Sequence, residues 1–320
     1  SLYISQEQIS SSPKSNLKYI FRDIIEWIIV SGVGSQKLRM NLYAALLNFI
    51  YIVKGEEKPA VDEPKEDFYV SRLDRTIMRR NQDQSGDDDE IDMAVEILQS
   101  FGDKLIDILC HDCTGGHDVV KMLALACIDL LLDIDNMTQF IHFIATRGYL
   151  AHIIDSLLKT DQKLCRVLDN QPENLKALYV YESKMAMLSR FAGSYVGAEL
   201  LLEHRVIGIL SQMKVFDLHP DFQVATFTSE SSFIPPIDTR YQQILFPALN
   251  LCDVILLTLG PENQSVVTQI THFLLSHADI IEIVLRAGTP AMNSGLLQEL
   301  AAITGLIARV ANQNISDMID

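Results

Sequence analysis

The chain has 320 residues, 48% of them hydrophobic, and carries a net charge of −16 with an isoelectric point near 4.8. An acidic chain lacks the Lys/Arg stripes that displace counterions from a phosphate backbone, which argues against nucleic acid as a partner. No run of about 18 residues is free of charged or strongly polar side chains, which argues against a membrane span.

Two helices are predicted at the start of the chain. Apolar residues recur at helical spacing first between residues 17 and 28 and again between residues 42 and 53. Glycine follows each stripe and favours the end of a helix, so the two helices should form an antiparallel pair. The single tryptophan, Trp27, is expected in the core; an aromatic anchor at an end of the stack is the alternative. The first stripe consists of Leu17, Ile20, Phe21, Ile24 and Ile28.

The helical period disappears between residues 56 and 90. From Glu56 to Asp92 the sequence contains 13 acidic and 6 basic residues. A charged stretch without an apolar period cannot bury a core, so we expect an acidic, flexible insertion at 56–90. Within it, residues 72–80 read Arg-Leu-Asp-Arg-Thr-Ile-Met-Arg-Arg and can form a short basic helix. This helix is either part of a charged loop or an arm that docks on the acidic body or on a partner.

Helix pairs resume at Ile91, and a helix–turn–helix cadence recurs four times along the chain. Aligning Gly102, Gly148, Arg205 and Ala278 at the turns gives spacings of 46, 57 and 73 residues. Armadillo and HEAT units repeat every ~40–47 residues, and insertions account for the longer spacings. The sequence therefore predicts an all-α fold, a single armadillo/HEAT-like α-solenoid of stacked helix pairs over residues 1–320, with long acidic insertions.

A second interruption of the helical period is expected at residues 214–237. Prolines and a run of Ser and Thr break the pattern there. The same stretch contains Phe222, Phe227 and Phe233, which a solvated linker would not need. We therefore expect a long loop that packs on the solenoid.

The last helices are predicted at 238–259, 262–276 and 278–287, followed by a final helix from Thr289-Pro290, where an N-cap precedes a proline. The final helix is apolar on most sides and rich in alanine, so it requires close neighbours all round. The chain begins with Ser and not Met, and this helix runs almost to its end. We therefore expect a fragment of a longer protein whose end repeats expose apolar surface.

The best candidate for a chemical site is Cys110-His-Asp-Cys113-Thr-Gly-Gly-His117. Its cysteines and histidine could supply three zinc ligands, but a structural zinc site needs four and no second pair follows. The alternative is an inter-helix turn with incidental cysteines. Five cysteines, an odd number, indicate reduced thiols of the cytosol or nucleus. The sequence has no phosphate loop, GxSxG or HExxH motif, so we expect no enzyme, cofactor, metal or small-molecule substrate.

Residues 173–193 and their continuation 198–222 resemble the C-terminal tail region of the largest inner-ring scaffold nucleoporins of the nuclear pore complex. The resemblance implies an α-solenoid with a structural role in the nuclear envelope, where it supports nucleocytoplasmic transport. The resemblance also implies binding of short amphipathic helices or extended motifs donated by linker nucleoporins. Such a helix would place its residues i, i+3, i+4 and i+7 in a groove between repeats.

The predicted partner-binding residues lie on the final helix and on the helix at 238–259. They are Leu249, Leu256, Leu296, Leu300, Ile303 and Ile307. The same residues are the default core of their helices, so they could instead be buried. The alternative function is a karyopherin-like transport receptor or an armadillo-type adaptor that binds basic cargo peptides. High salt should weaken a complex with basic cargo and spare an apolar helix in a groove.

Overall fold

The computed structural model describes residues 6–31, 35–53, 88–134, 139–220, 234–286 and 294–316. Within these ranges the chain is helical and contains no strand, which confirms the all-α prediction. The α-helices are α1 (Gln6–Val30), α2 (Gln36–Val53), α3 (Asp88–Phe101), α4 (Lys104–Gly115), α5 (Asp118–Ile134), α6 (Gln139–Thr146), α7 (Tyr149–Val167), α8 (Lys176–Ala192), α9 (Tyr195–Glu203), α10 (Val206–Leu210), α11 (Ile237–Leu259), α12 (Gln264–Ser276), α13 (Ala278–Arg286) and α14 (Ser294–Ser316). A 3-10 helix, Lys214–Asp217, follows α10.

The chain divides into two compact units, Ser1–Phe140 and Ile141–Asp320. Most of the insertion predicted at 56–90 lies outside the described residues, and α3 begins within its last three residues, at Asp88. The predicted helix start at Thr289-Pro290 also lies outside them, and α14 is described from Ser294 onward.

In the first unit, α1 packs against α2 and α3. The rings of Phe21 and Phe49 stack with centroids 4.3 Å apart, which fixes α1 against the antiparallel α2. Helix α3 runs parallel to α1, since Lys18 pairs with Glu96 at 3.4 Å and the guanidinium of Arg22 lies over the ring of Phe101. The helix pair predicted at the start of the chain is therefore present, with a third helix beside it.

The buried side of α1 differs from the predicted stripe. Phe21, Ile25 and Ile28 are completely buried, whereas Ile20 is exposed. Trp27 is 62% exposed, so the expectation that it lies in the core is wrong. The apolar spacing correctly predicted a helix, but α1 has apolar residues around most of its circumference and only part of it faces α2, α3 and α4.

The two cysteines of the motif considered for zinc lie in α4, and Asp112 between them forms a buried ion pair. Asp112 Oδ2 lies 3.2 Å from Arg39 Nη1 and accepts a hydrogen bond of 2.7 Å from the hydroxyl of Tyr43. Burial, followed by this hydrogen bond, raises the pKa of Tyr43 well above its usual range. Cys110 and Cys113 are buried beside the pair, and burial strongly raises the pKa of the Cys110 thiol. This motif joins α4 to α2.

Three of the four aligned turns share one backbone conformation. Gly102, Gly148 and Arg205 have φ angles of 55°, 79° and 56°, all in the left-handed region. A left-handed residue between two helices reverses the chain within a few residues, and glycine adopts it without a Cβ clash. The fourth aligned residue, Ala278, is instead the first residue of α13. The cadence in the sequence therefore reflects a repeated turn at three positions.

In the second unit, α8 and α11 pack side by side in parallel. The hydroxyl of Tyr181 donates to the carbonyl of Ile244 at 2.9 Å, and Asn250 Nδ2 donates to Ser189 Oγ at 3.4 Å. Residue numbers rise in the same direction along both helices. Equivalent helices of successive solenoid units pack in this way.

Helix α14 repeats the arrangement on α11. Gln242 Nε2 donates to Glu299 Oε1 at 2.8 Å, and the guanidinium of Arg309 bonds the carboxylate of Asp253 further along. Helix α14 is therefore parallel to α11, and α8, α11 and α14 form a row of parallel helices. The row supports the α-solenoid class for this unit.

The start of the loop predicted at 214–237 packs in the second unit. Asp161 is buried in α7, and its two carboxylate oxygens accept the backbone N–H groups of Lys214 and Val215 at 3.1 Å. Phe216 is completely buried, and its carbonyl accepts the hydroxyl of Tyr241 at 2.7 Å. Residues 221–233 of the predicted loop lie outside the described residues.

Candidate partner-binding surface

The six predicted partner-binding residues occupy two different environments in the second unit. Four of them are buried between helices: Leu249, Leu256, Leu296 and Ile303. Leu300 and Ile307 on α14 are half-buried. Only Leu300 and Ile307 are accessible to a partner without rearrangement. The four buried residues belong to the packing of α11 and α14.

An uncharged apolar stripe continues from Leu300 and Ile307 onto the exposed side of α14. Leu297 is 55% exposed, and the small residues Ala301 and Ala308 are exposed beside it. We call Leu297, Leu300, Ala301, Thr304, Ile307 and Ala308 the α14 open face. Helix α11 lies on the other side of α14, where it contacts Glu299 and Arg309. The α14 open face thus lies where the row of parallel helices would receive a further helix.

Helices α11 and α14 are both long and apolar enough to cross a membrane by length and composition alone. In the most apolar stretch of 18 residues in α11, 56% are buried inside the protein, as expected for a core helix. In α14 only 28% of the corresponding stretch is buried, and the rest divides between half-buried and exposed residues. The difference identifies α14 as a helix with unused apolar surface.

A small apolar pocket lies behind α14. It has an empty volume of about 300 Å³, part of it open to solvent, and its walls come from α11, α12, α13, α14 and the 3-10 helix. Two predicted partner-binding residues, Leu249 and Ile303, line it, and the half-buried Leu274 and Ile281 form its exposed border. Most of the pocket wall is the core of the unit, so the pocket belongs to the packing between α14 and its neighbours.

Buried polar groups fix the position of α14. The carboxylate of Glu299 is buried, accepts a hydrogen bond from Gln242 on α11, and lies 3.1 Å from His219 Nε2. The ring of His219 meets the ring of Tyr241 edge-on at 5.0 Å. Burial, followed by the charge of Glu299, raises the pKa of Tyr241. These contacts tie α14 to α11 and to the chain after the 3-10 helix, so the α14 open face is presented on a rigid element.

The second ion pair of this region lies near the end of α11. Burial raises the pKa of Asp253, and the guanidinium of Arg309 on α14 opposes that shift. Both groups belong to the contact between the two helices. Within the described ranges, no group of three His, Cys, Asp or Glu side chains is arranged to hold a metal ion.

Sequence reasoning missed the residues that make the α14 open face accessible. Leu297, Ala301, Thr304 and Ala308 follow one another at intervals of four, three and four residues, which is a second stripe on the same helix. The signal was present in the observation that the helix is apolar on most sides. Of the predicted residues on this helix, Leu296 and Ile303 face the core, and Leu300 and Ile307 are half-buried.

Sequence comparison relates the chain to proteins of the nuclear pore. Residues 3–311 match the family described as "Nuclear pore complex scaffold, nucleoporins 186/192/205". The chain is 43% identical over 317 residues to nuclear pore complex protein Nup205 of Drosophila melanogaster, and 35% identical over 312 residues to the Homo sapiens protein of that name. The alignments cover 97% and 96% of the chain but 15% of each relative. The chain therefore spans only a small part of the length of the curated relatives it matches.

Proposed function

The chain belongs to the family of nuclear pore complex scaffold nucleoporins 186/192/205, and from this membership we propose that its second unit captures an amphipathic helix of a linker nucleoporin in the inner ring. The family is structural and not enzymatic, and its members are components of the nuclear pore complex in the nuclear envelope. The partner and the inner-ring position are the new elements of the proposal.

The observation that carries the proposal is the uncovered apolar side of α14. Leu297, Ala301 and Ala308 are exposed on one side of α14, and an exposed apolar patch marks an interaction site in soluble proteins. The α14 open face contains no charged residue. A partner must therefore contribute an apolar stripe, which an amphipathic helix provides.

Leu300 and Ile307 serve as the central anchors in this arrangement, because they are half-buried and seven residues apart on one side of α14. Ala301 and Ala308 are small, so the backbone of the bound helix can approach closely. The four buried residues of the predicted set hold α14 in place. The contacts of Glu299 with α11 reduce the ordering cost of binding, since the surface is already formed.

The alternative function, capture of basic cargo peptides, requires an acidic surface. The net charge of −16 is compatible with it, but the α14 open face offers no carboxylate to a basic peptide. We therefore expect capture by α14 to be insensitive to salt, because apolar burial is not screened by ions.

The test is a pull-down of amphipathic segments from linker nucleoporins by the purified chain, at low and at high salt. Leu297→Glu places a charge on the α14 open face and should weaken capture about tenfold or more. Leu275→Glu is the matched control, because Leu275 is an exposed leucine on α12, with 70% of its side chain accessible. Both variants should keep the circular dichroism spectrum of the parent chain. Equal capture by the two variants, or capture that disappears in high salt, would contradict the proposal.

A further inference from the structure

The C-terminal half of α7, in the second unit, presents a row of basic side chains. Lys159, Lys163 and Arg166 are exposed and follow one another at intervals of four and three residues, so they lie on one side of the helix. We call these three residues the α7 basic stripe. The remaining exposed residue between positions 156 and 167, Gln162, is uncharged. In a chain with a net charge of −16, this uninterrupted basic row is a local exception.

The cations of the α7 basic stripe have no acidic partner in the described part of the chain. Other exposed basic side chains do bind an acid: Lys18 pairs with Glu96 at 3.4 Å, and Arg286 pairs with Glu282 at 2.6 Å. Within the residues that the structure describes, the stripe forms no ion pair, although Asp155 is exposed one turn before it. Its charge is therefore available to carboxylates of another molecule.

The electrostatics of the helix end explain only part of the stripe. The carbonyl groups at the C-terminus of a helix stabilise cations, but this effect falls off within the last turn. Arg166 is in the last turn of α7, whereas Lys159 lies more than two turns before the end of the helix at Val167. The stripe therefore extends further than the stability of α7 requires.

The opposite side of α7 is fixed in the second unit. Asp161 is buried there and accepts the backbone N–H groups of Lys214 and Val215 at 3.1 Å, so its carboxylate does not neutralise the stripe. Burial raises the pKa of the Cys165 thiol to about 11, and the nearby charge of Lys214 opposes that shift. The exposed side chain of Lys214 thus adds a fourth cation beside α7, and the stripe lies on a helix that is already held in place.

The spacing of the stripe fits an acidic helix. At a rise of about 1.5 Å per residue, steps of four and three residues place the three basic positions about 6 and 4.5 Å apart along the helix axis. A second helix with Asp or Glu at the same intervals presents its carboxylates with the same rise. An extended strand repeats one side every ~6.6–6.8 Å and matches only the first of these steps.

We propose that the α7 basic stripe docks an acidic helical segment of another protein, with carboxylates at intervals of four and three residues against Lys159, Lys163 and Arg166. Charge complementarity selects the partner, and the fixed position of α7 sets the spacing that the partner must match. The site uses no residue of the α14 open face, so this proposal and the capture of a partner helix by α14 are independent.

The test measures binding of a dye-labelled, alanine-based helical peptide, with Glu at these intervals, by fluorescence anisotropy. Lys159→Glu with Lys163→Glu should weaken binding about tenfold or more, because two attractive charge pairs become repulsive. Lys37→Glu with Lys104→Glu is the matched control, because both lysines are exposed in the first unit and the net charge changes by the same amount. This control should keep the affinity of the parent chain, and all variants should keep its circular dichroism spectrum.

A charge-reversed peptide and a salt series test the pairing itself. A peptide with Lys in place of each Glu should bind Lys159→Glu/Lys163→Glu more tightly than it binds the parent chain. The complex of the parent chain with the acidic peptide should dissociate between 0.1 M and 1 M salt, where the Debye length falls from about 10 Å to about 3 Å.

Four results would overturn the proposal. The first is equal affinity of the parent chain and Lys159→Glu/Lys163→Glu for the acidic peptide. The second is equal affinity for a peptide of the same composition whose glutamates do not share one side, which would show attraction to any acidic chain. The third is a complex that persists in 1 M salt. The fourth is self-association of the parent chain that the stripe substitutions abolish, which would show that a second copy occupies α7.

The two proposed sites can fail separately. Leu297→Glu on α14 should leave binding of the acidic peptide unchanged, and Lys159→Glu with Lys163→Glu should leave the capture of a linker segment by α14 unchanged.

Discussion

Removing Asp112 tests whether the buried ion pair of the first unit holds α2 and α4 together. The side chains of Arg39 and Asp112 are each 4% exposed, and Asp112 also accepts a hydrogen bond of 2.7 Å from Tyr43. Asp112→Ala leaves a buried guanidinium without its carboxylate, and such a removal costs about 3–5 kcal/mol. Tyr43→Phe removes one hydrogen bond to the same oxygen and should cost about 1–3 kcal/mol.

The double variant Arg39→Met/Asp112→Leu separates the loss of the ion pair from the cost of burying Arg39 without Asp112. It leaves neither charge buried, so we expect it to recover most of the stability lost in Asp112→Ala. The free energy of unfolding is measured in urea, with circular dichroism for both units and Trp27 fluorescence for the first. The transitions are fitted separately, because a chain of two units need not unfold in one step. A loss below about 1 kcal/mol in Asp112→Ala would refute the reasoning, since that is the value of a single ordinary hydrogen bond.

Two further predictions concern the thiols and the turns. Cys165 is half-buried, and its pKa is raised to about 11, chiefly by burial. It should therefore react first, but slowly, with a disulfide reagent at pH 8, and the four buried cysteines should react only as the chain unfolds. Fast reaction of several thiols in the folded chain would count against this. Gly148→Ala should lower stability by about 1–2 kcal/mol, because its φ of 79° strains any Cβ although the space around it is open. Arg205→Gly should raise stability by up to about 1 kcal/mol at the equivalent turn, where φ is 56°, and thermal unfolding of the pair checks the opposite signs.

The sequence predicted the helices and three shared turns because both depend on local residue patterns. Apolar residues at helical spacing predict a helix with one buried side. Gly102 and Gly148 mark positions where glycine turns the chain without strain. The pattern does not determine which side of a helix finds a neighbour. Trp27 shows this. Helix α1 is apolar on more sides than α2, α3 and α4 cover, so the expectation that its apolar residues are buried was wrong for Trp27.

The exposure of the proposed partner-binding residues was only partly predictable for the same reason. The spacing of four, three and four residues places the predicted residues of α14 on one side of the helix. It does not show whether that side is buried or exposed. The residues are Leu296, Leu300, Ile303 and Ile307. Contacts between residues distant in sequence determine which side of α14 is buried. Glu299 contacts α11 and His219, and in this orientation of the helix Leu296 and Ile303 are buried. The two contacts join residues that are 57 and 80 positions apart in the sequence. A periodic pattern within one helix does not predict such contacts.

The chemistry of the α14 open face predicts how a partner complex responds to salt. The α14 open face has no charged residue, so capture of a partner helix depends on apolar burial, which added salt does not weaken. A salt series on the parent chain should therefore leave the proposed capture at α14 in place, and the dissociation constant of the complex measures it. A complex that dissociates as salt rises would show that charge, and not apolar burial, holds the partner.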